Sequence, residues 1–277
     1  MNPLEIVSEL DSVIRIAESA GQAIVQVYES RSLETRLKAD QTPVTLADKA
    51  AQDLILASLS SLPSQLPVVS EEAESIEYET RISWPAFWLV DPLDGTKEFI
   101  AGYREFTVNI ALIVSGEPIL GIVHAPALQQ TYYGTKGGRA FRKTKEGSHE
   151  AIAVRHKSSD EPLRVVASRL HRSPALERFL SELRDVETFS AGSALKFCWI
   201  AEGRADLYPR FGATMEWDTA AGQCVVEAAG GCVTDLRGEQ LRYNKPNLRS
   251  PSFLAMARFS EPVQSAAQRS GEELTQD

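Results

Sequence analysis

One stretch constrains this chain of 277 residues more than any other: Phe87-Trp88-Leu89-Val90, running straight into Asp91-Pro92-Leu93-Asp94-Gly95-Thr96. Four apolar residues without alternation read as a strand buried on both faces. Pro92 holds Asp91 extended and is expected to end the strand there. Two carboxylates three residues apart then stand at the exit of a buried strand. Gly95 lets the backbone approach a ligand closely. A helix beginning near Thr96 would turn the Gly95 and Thr96 amides outward as anion donors at its positive end. Carboxylates for a hard cation beside amides for a phosphate are the apparatus of metal-assisted phosphoryl transfer. The plainer reading, a turn with an N-cap, does not need the second Asp. The Asp91 to Asp94 step is one residue too long for the D-x-D-x-T loop of aspartyl-phosphate phosphatases, so Asp91 as a nucleophile is disfavoured.

The flanking sequence supplies helices and sheet. Leu10, Val13, Ile14, Ala17, Ala20, Ile24, Val27 and Tyr28 form one apolar helical stripe. A polar stretch from Arg31 to Thr42 leads to Pro43, and Thr45-Leu46-Ala47-Asp48 is a capping pattern that opens a second helix. Val68-Val69-Ser70 reads as a short strand ending at Glu71-Glu72. Phe106 to Val114 and Ile119 to Ala125 are strand runs joined by a hairpin signal at Ser115 to Pro118. Thr131 to Gly134 and the Gly137-Gly138 turn carry the meander to Phe141.

After Lys143 to Gly147, taken as the approach to a boundary, strands and helices alternate. The strands are Leu163 to Ala167, Val186 to Phe189, Asp206 to Tyr208, Cys232 to Thr234 and Phe253 to Ala257. The helices run from the Ser173-Pro174 cap to about Leu183, from Ser193 to Ala201, and from Trp217 to Ala229. Alternation of this kind indicates an α/β unit. The expected organisation is an α+β unit over residues 1–155, an α/β unit over 156–260 and a frayed polar tail over 261–277.

Charge narrows the partners. Lys plus Arg number 29 against 38 Asp plus Glu, a net charge of −9, so a nucleic-acid backbone or an anionic membrane is not the expected main partner. An anionic ligand therefore needs something local to reverse the sign. Cys198, Cys224 and Cys232 form no C-x-x-C pair and read as buried small hydrophobes in a reducing compartment. No signal pattern opens Met1 to Leu10 and no apolar run reaches membrane length, so a cytoplasmic location is expected. The four histidines, His124, His149, His156 and His171, do not cluster at ligand spacing.

Mg²⁺ takes only one or two carboxylates per ion, so paired ions need acids from elsewhere in the chain. Glu71 and Asp218, in Glu216-Trp217-Asp218-Thr219, are the candidates, and Asp48 could orient a water together with the Thr96 hydroxyl. Each has a plainer alternative: Asp48 and Asp218 as helix-terminal acids, Glu71 and Glu72 as a solvated pair. Lys196 and Arg210 are candidates for a distal phosphate, with ordinary surface charge as the alternative.

At these residues the sequence resembles the lithium-sensitive, magnesium-dependent inositol monophosphatase superfamily, and within it the bacterial 3'(2'),5'-bisphosphate nucleotidase branch. The matching stretches run from Pro43-Val44-Thr45 to Asp48, through Ser70-Glu71-Glu72, Trp88 to Phe99 and Glu105 to Leu112. They continue with Gly192 to Cys198, Leu207 to Gly212 and Trp217 to Gly222. The resemblance implies a layered α-β-α-β-α sandwich with the site between two units. It implies that Glu71, Asp91, the Leu93 carbonyl, Asp94 and Asp218 hold two or three Mg²⁺ ions. Asp48, Thr96 and Glu71 are the implied catalytic residues, Thr96 and Asp48 activating the attacking water. Glu71, Leu93, Asp94, Gly95, Thr96, Ser193, Lys196, Arg210 and Asp218 are the implied substrate contacts.

The implied substrate is 3'-phosphoadenosine 5'-phosphate, a small nucleoside bisphosphate, cleaved to AMP and phosphate in sulfur assimilation. The branch also implies weak peripheral contact with the cytoplasmic side of the inner membrane. Ala194 stands where a second serine is expected, and His124 where a tyrosine is, and neither touches the metal set. An inositol or sugar phosphatase is the alternative within the class. A nucleotide-binding sensor is the alternative outside it.

Overall fold

Helix α1 (Leu10–Ser30) realises the apolar stripe, with Val13, Ile14, Ala17, Ala20 and Ile24 buried. The structure, a computed structural model, describes residues 8–30, 35–37, 43–158, 160–169, 173–212 and 214–272. Strands β1 (Thr35–Leu37) and β2 (Pro43–Thr45) pair antiparallel where the sequence suggested a polar connection. Residues 31–34 and 38–42 of that connection lie outside the described residues, as does His171. Helix α2 (Leu46–Ser60) follows its expected cap at Thr45.

A seven-stranded sheet comes next. It contains β3 (Val68–Ser70), β4 (Ala86–Asp94), β5 (Thr107–Val114), β6 (Glu117–Ala125), β7 (Gln130–Thr135), β8 (Ala140–Lys143) and β9 (His149–Ile152), in that order. Only β3 and β4 run parallel; the other pairs are antiparallel. Two short helices, α3 (Tyr78–Arg81) and α4 (Thr96–Ile100), flank β4.

Three expectations for this sheet need correction. β4 does not end at Asp91: Asp91 still pairs with Asn109 and Asp94 with Thr107, with a register shift between them. Pro92 falls inside that bulge, where its missing N–H breaks no ladder bond. The hairpin expected over Ser115 to Pro118 closes on Ser115-Gly116 alone, at φ 52° and 77°, the two-residue turn that positive φ at both positions permits. The meander expected to end at Phe141 continues, past a turn after Lys143, into β9; β9 is almost wholly exposed, so it carries no apolar alternation to betray it.

The remaining chain forms β10 (Leu163–Ser168), α5 (Pro174–Glu182), β11 (Val186–Ala191), α6 (Leu195–Ala201) and β12 (Leu207–Arg210). It continues through β13 (Thr214–Met215), α7 (Glu216–Ala228), β14 (Cys232–Asp235), β15 (Arg249–Ser250), β16 (Phe253–Met256) and α8 (Glu261–Glu272). The second sheet has the order β11-β10-β12-β16-β14. β10 is parallel to β11 and β12, whereas β16 is antiparallel to β12 and β14.

Strand alternation sorts the core into layers. Trp88, Val90, Ile110, Leu112 and Ile122 face α1 and α2. Phe87, Leu89, Ala111, Ile113 and Val123 share one cluster with Leu195, Phe197, Ala221 and Val225 of α6 and α7, and with Tyr208, Phe253 and Ala255 of the second sheet. Val165, Ala167, Leu207 and Leu254 face Leu176, Phe179, Ala266 and Ala267 of α5 and α8. The order is therefore helices, sheet, helices, sheet, helices, the sandwich that the resemblance implied. The expected frayed tail is overturned for residues 261–272: α8 buries Ala266 and Ala267, and Gln264 donates to the Asp235 carbonyl at 2.8 Å. Its inner face is built largely of alanines, a glutamine and a serine, too weak a stripe to stand out in the sequence. Residues 273–277 lie outside the described residues.

Candidate active site

The bulge that carries β4 past Pro92 and the two helix starts beside it decide where the acids point. Glu71 leaves β3 with its N–H still bonded to the Val90 carbonyl at 3.2 Å, so the parallel pair sets it level with Asp91. Asp218 lies in the first turn of α7, where its Oδ2 accepts the Met215 N–H at 2.8 Å. One carboxylate oxygen each from Glu71, Asp91 and Asp218 lies within 4.8 Å of the others. Asp94 lines the same cavity, and its charge acts on both Asp91 and Asp218. Residues 71, 91 and 218 come from three separate elements and meet in one place.

These acids are held under electrostatic stress. Asp91 is 1% exposed. Burial, and after it the charges of Glu71, Asp94 and Asp218, push its carboxyl well above the ordinary range, against one Leu93 N–H donating at 3.0 Å. Burial and the Asp94 charge push Asp218 up to about 8. Buried like charges are costly unless a counter-charge joins them. An all-oxygen donor set of this kind fits a hard divalent cation, and the residues present therefore suit the metal that the resemblance implies.

Asp48 is both a cap and something more. Its Oδ2 accepts the Thr45 N–H at 2.7 Å and the Thr45 hydroxyl at 2.6 Å, the capping box of α2. Its Oδ1 lies 3.3 Å from Thr96 Oγ1, which is also 3.2 Å from the Leu93 carbonyl oxygen. Burial raises the Asp48 carboxyl despite these bonds. Asp218 likewise caps its helix while facing the cavity, so for both acids the cap leaves room for a place at the site.

The other expected residues line a cavity of about 250 Å³: Glu71, Asp91, Leu93, Asp94, Gly95, Thr96, Ser193, Lys196, Arg210 and Asp218. Asp48 stands behind Thr96. Gly95 adopts φ 89° as the N-cap of α4, and a side chain there would meet the Ser193 Cβ at 3.1 Å. Lys196 is 4% exposed, which overturns the surface-charge reading. Its Nζ donates to the Ser193 carbonyl at 2.6 Å and the Ala191 carbonyl at 3.4 Å, and lies 5.2 Å from the centre of the Tyr208 ring. Burial holds its ammonium down at about 8.

Sequence reasoning missed Glu98, Ser168, Tyr208 and Thr214 as lining residues, and Thr107 and Asn109 behind them. The signal for the last two was present: Thr107-Val108-Asn109-Ile110 puts two polar residues on one face of an otherwise apolar strand. His124 is buried at its Thr131 partner, 2.9 Å from Nδ1 to Oγ1, and does not line the cavity. Trp88 is fully buried and Trp84, Trp199 and Trp217 pack against the central core, as expected.

Residues 7–269 match the model of the inositol monophosphatase family. The chain is 47% identical over 246 residues to the 3'(2'),5'-bisphosphate nucleotidase CysQ of Salmonella typhimurium, covering 88% of this chain and 98% of that protein. It is 44% identical over 236 residues to the Buchnera aphidicola protein of the same description, covering 85% and 87%. Among solved structures it resembles CysQ from Bacteroides thetaiotaomicron, with a TM-score of 0.80 and 37% identity over 91% of this chain and 98% of that one. The IMPase of Thermotoga maritima superposes with a TM-score of 0.78 at 25% identity, over 97% and 98%.

Proposed function

The chain belongs to the inositol monophosphatase family, and from that premise we propose that it is a Mg²⁺-dependent 3'(2'),5'-bisphosphate nucleotidase. It hydrolyses the 3'-phosphate of 3'-phosphoadenosine 5'-phosphate to AMP and phosphate. The observation that carries this reading is the meeting of Glu71, Asp91 and Asp218 within 4.8 Å in a cavity that Lys196 and Arg210 also line. Acids on one side suit cations, and cations on the other suit a second phosphate, which a monophosphate does not have. The similarity to the bisphosphate nucleotidases supports the same substrate class.

Glu71, Asp91, Asp94, Asp218 and the Leu93 carbonyl would hold the two or three Mg²⁺ ions. When bound, such ions make water nucleophilic near neutral pH and neutralise the phosphate ester. The chain's own groups do the rest. The Gly95 and Thr96 amides at the start of α4 orient the scissile phosphate. Thr96 Oγ1 holds the attacking water in line, and Asp48 Oδ1 takes the proton passed through that hydroxyl, a task suited to a carboxyl already raised by burial. Two of the three Lys196 donors are spent on backbone carbonyls, and the third is available to the distal phosphate together with Arg210. No histidine is needed.

Among the described residues no helix is long and apolar enough to cross a membrane. A cytoplasmic place of action belongs to the same proposal, as does the division into units at residues 155 and 156, with the cavity between them.

The test is a panel of 3'-phosphoadenosine 5'-phosphate, its phosphosulfate precursor, inositol 1-phosphate and sugar phosphates, assayed for phosphate release with Mg²⁺, with and without Li⁺. We expect the bisphosphate to give the highest kcat/KM and Li⁺ to inhibit. Asp94→Asn should fold normally and lose most turnover. A higher kcat/KM for inositol or sugar phosphates would replace this reading with the alternative. Nucleotide binding without phosphate release would make the chain a sensor.

A further inference from the structure

A chain of hydrogen bonds crosses the site from the first sheet to the start of α6. Asn109 Nδ2 donates to Asp94 Oδ2 at 3.3 Å, and Thr107 Oγ1 donates to Asn109 Oδ1 at 2.9 Å. Thr107 Oγ1 then lies 2.6 Å from Ser193 Oγ. Thr107 and Asn109 are 0% and 1% exposed, so bulk water does not reach these two side chains.

The order of donors follows from chemistry. A carboxylate only accepts, so the amide NH₂ of Asn109 faces Asp94 and its carbonyl oxygen faces Thr107. That buried oxygen would be costly if left without a donor, so Thr107 gives it its single proton. Thr107 can then only accept from Ser193. The Ser193 proton is thereby committed inward, and the hydroxyl shows lone pairs alone to the cavity. Ser193 is fixed from its other side as well, through the Lys196 bond to its carbonyl, with its backbone at φ 52°. Its Cβ sits against Gly95, beside the place assigned to the scissile phosphate.

Resting on the bisphosphate nucleotidase reading, we propose that Thr107 and Asn109 are positioning residues that make Ser193 an acceptor-only contact. In that state it reads the ribose hydroxyl vicinal to the scissile ester. A phosphate oxygen, itself an acceptor, is repelled from this position, whereas a hydroxyl donor is welcomed. The same contact serves a 3'-ester through the 2'-hydroxyl and a 2'-ester through the 3'-hydroxyl.

The experiment compares 3'-phosphoadenosine 5'-phosphate with its 2'-deoxy counterpart in the wild type, Thr107→Val, Thr107→Ser and Ser193→Ala, with Mg²⁺. In the wild type the deoxy substrate should have a KM roughly five- to tenfold higher, the scale of one neutral hydrogen bond. Thr107→Val frees the Ser193 proton, and discrimination should fall below about twofold. Thr107→Ser keeps the hydroxyl and should retain discrimination, which a purely structural role for Thr107 does not require. Ser193→Ala should abolish it even if Thr107→Val melts too low to assay. Wild-type discrimination surviving in Thr107→Val or Ser193→Ala overturns the proposal, as does its absence from an active wild type. Should the wild type turn over neither substrate, the functional reading fails by itself. Calorimetry with 3'-AMP and 2'-deoxy-3'-AMP then decides the inference, and equal affinities overturn it.

Discussion

Thr96 Oγ1 stands 3.3 Å from Asp48 Oδ1, a contact between the first residue of a five-residue helix and the first turn of a helix 48 positions earlier. The other oxygen of the same carboxylate closes the capping box of α2 through Thr45. In the proposed mechanism stability and chemistry thus share one side chain, each on its own oxygen. Asp218 repeats the arrangement at α7, bonded to the Met215 N–H while it faces Asp91.

Asp48→Asn separates the two roles. The amide keeps the volume but cannot take up a proton, so kcat should fall about 10²- to 10⁴-fold, the usual scale of a positioned base. The amide oxygen can still take both Thr45 donors, so the cap should hold and Tm should change by no more than a few degrees. A variant with wild-type kcat would remove Asp48 from the chemistry.

Divalent cations should stabilise the fold most at alkaline pH. Asp91 and Asp218 have folded pKa values raised above their unfolded ones, the latter to about 8. The stability they leave intact below about pH 4 is lost as pH rises through the raised values. In chelator, Tm should therefore fall between pH 5 and pH 8.5. Added Mg²⁺ should raise Tm more at pH 8.5 than at pH 5, because it binds the folded carboxylates. Melting curves in the four conditions check this; an Mg²⁺ effect that is the same at both pH values would contradict it.

Lys196 predicts a pH limit on substrate capture. Burial holds its ammonium at about 8, so the charge proposed to meet the distal phosphate disappears above that pH. The value of kcat/KM for a bisphosphate should decline above about pH 8, and that for a monophosphate should decline less. Lys196→Met should lower the bisphosphate kcat/KM at pH 7 and abolish the difference between the two profiles. Parallel profiles in the wild type would take Lys196 out of distal phosphate recognition.

Gly222 predicts a packing defect with a functional echo. A methyl group there would run into the Phe197 ring, which lines the cavity from α6. Gly222→Ala should destabilise the protein by about 1–3 kcal/mol, the cost of overpacking. The displaced ring should also raise KM. An unchanged Tm would mean that α6 and α7 can move apart freely.

Much of the site was legible before any coordinates, for a definite reason. In the Asp91 to Thr96 run, Pro92 and Gly95 announced an extended Asp91 and a close backbone approach before a helix start, through backbone limits that are local. The bulge that carries pairing on to Asp94 was not announced. Thr45 with Asp48, and Ser173 with Pro174, announced their helices through capping chemistry that is local in sequence. The unbroken apolar run from Phe87 to Val90 read as a strand buried on both faces, whereas the layered sandwich was only what the family resemblance implied.

What the chain could not disclose by itself was anything that depends on groups far apart in sequence coming within a few ångströms. Spacing alone left Glu71 open to a solvated reading and Asp218 to a capping one. Only the family resemblance set them beside Asp91, and they meet where the two sheets close over α6 and α7. Lys196 stays open between a phosphate contact and a surface charge until Tyr208 and the Ser193 carbonyl enclose it. Helix α8 looks like a frayed tail until α5 offers it a face. Local propensity and spacing are set by neighbours along the backbone. Burial, proximity of like charges and the direction of a hydroxyl proton arise only when the layers pack.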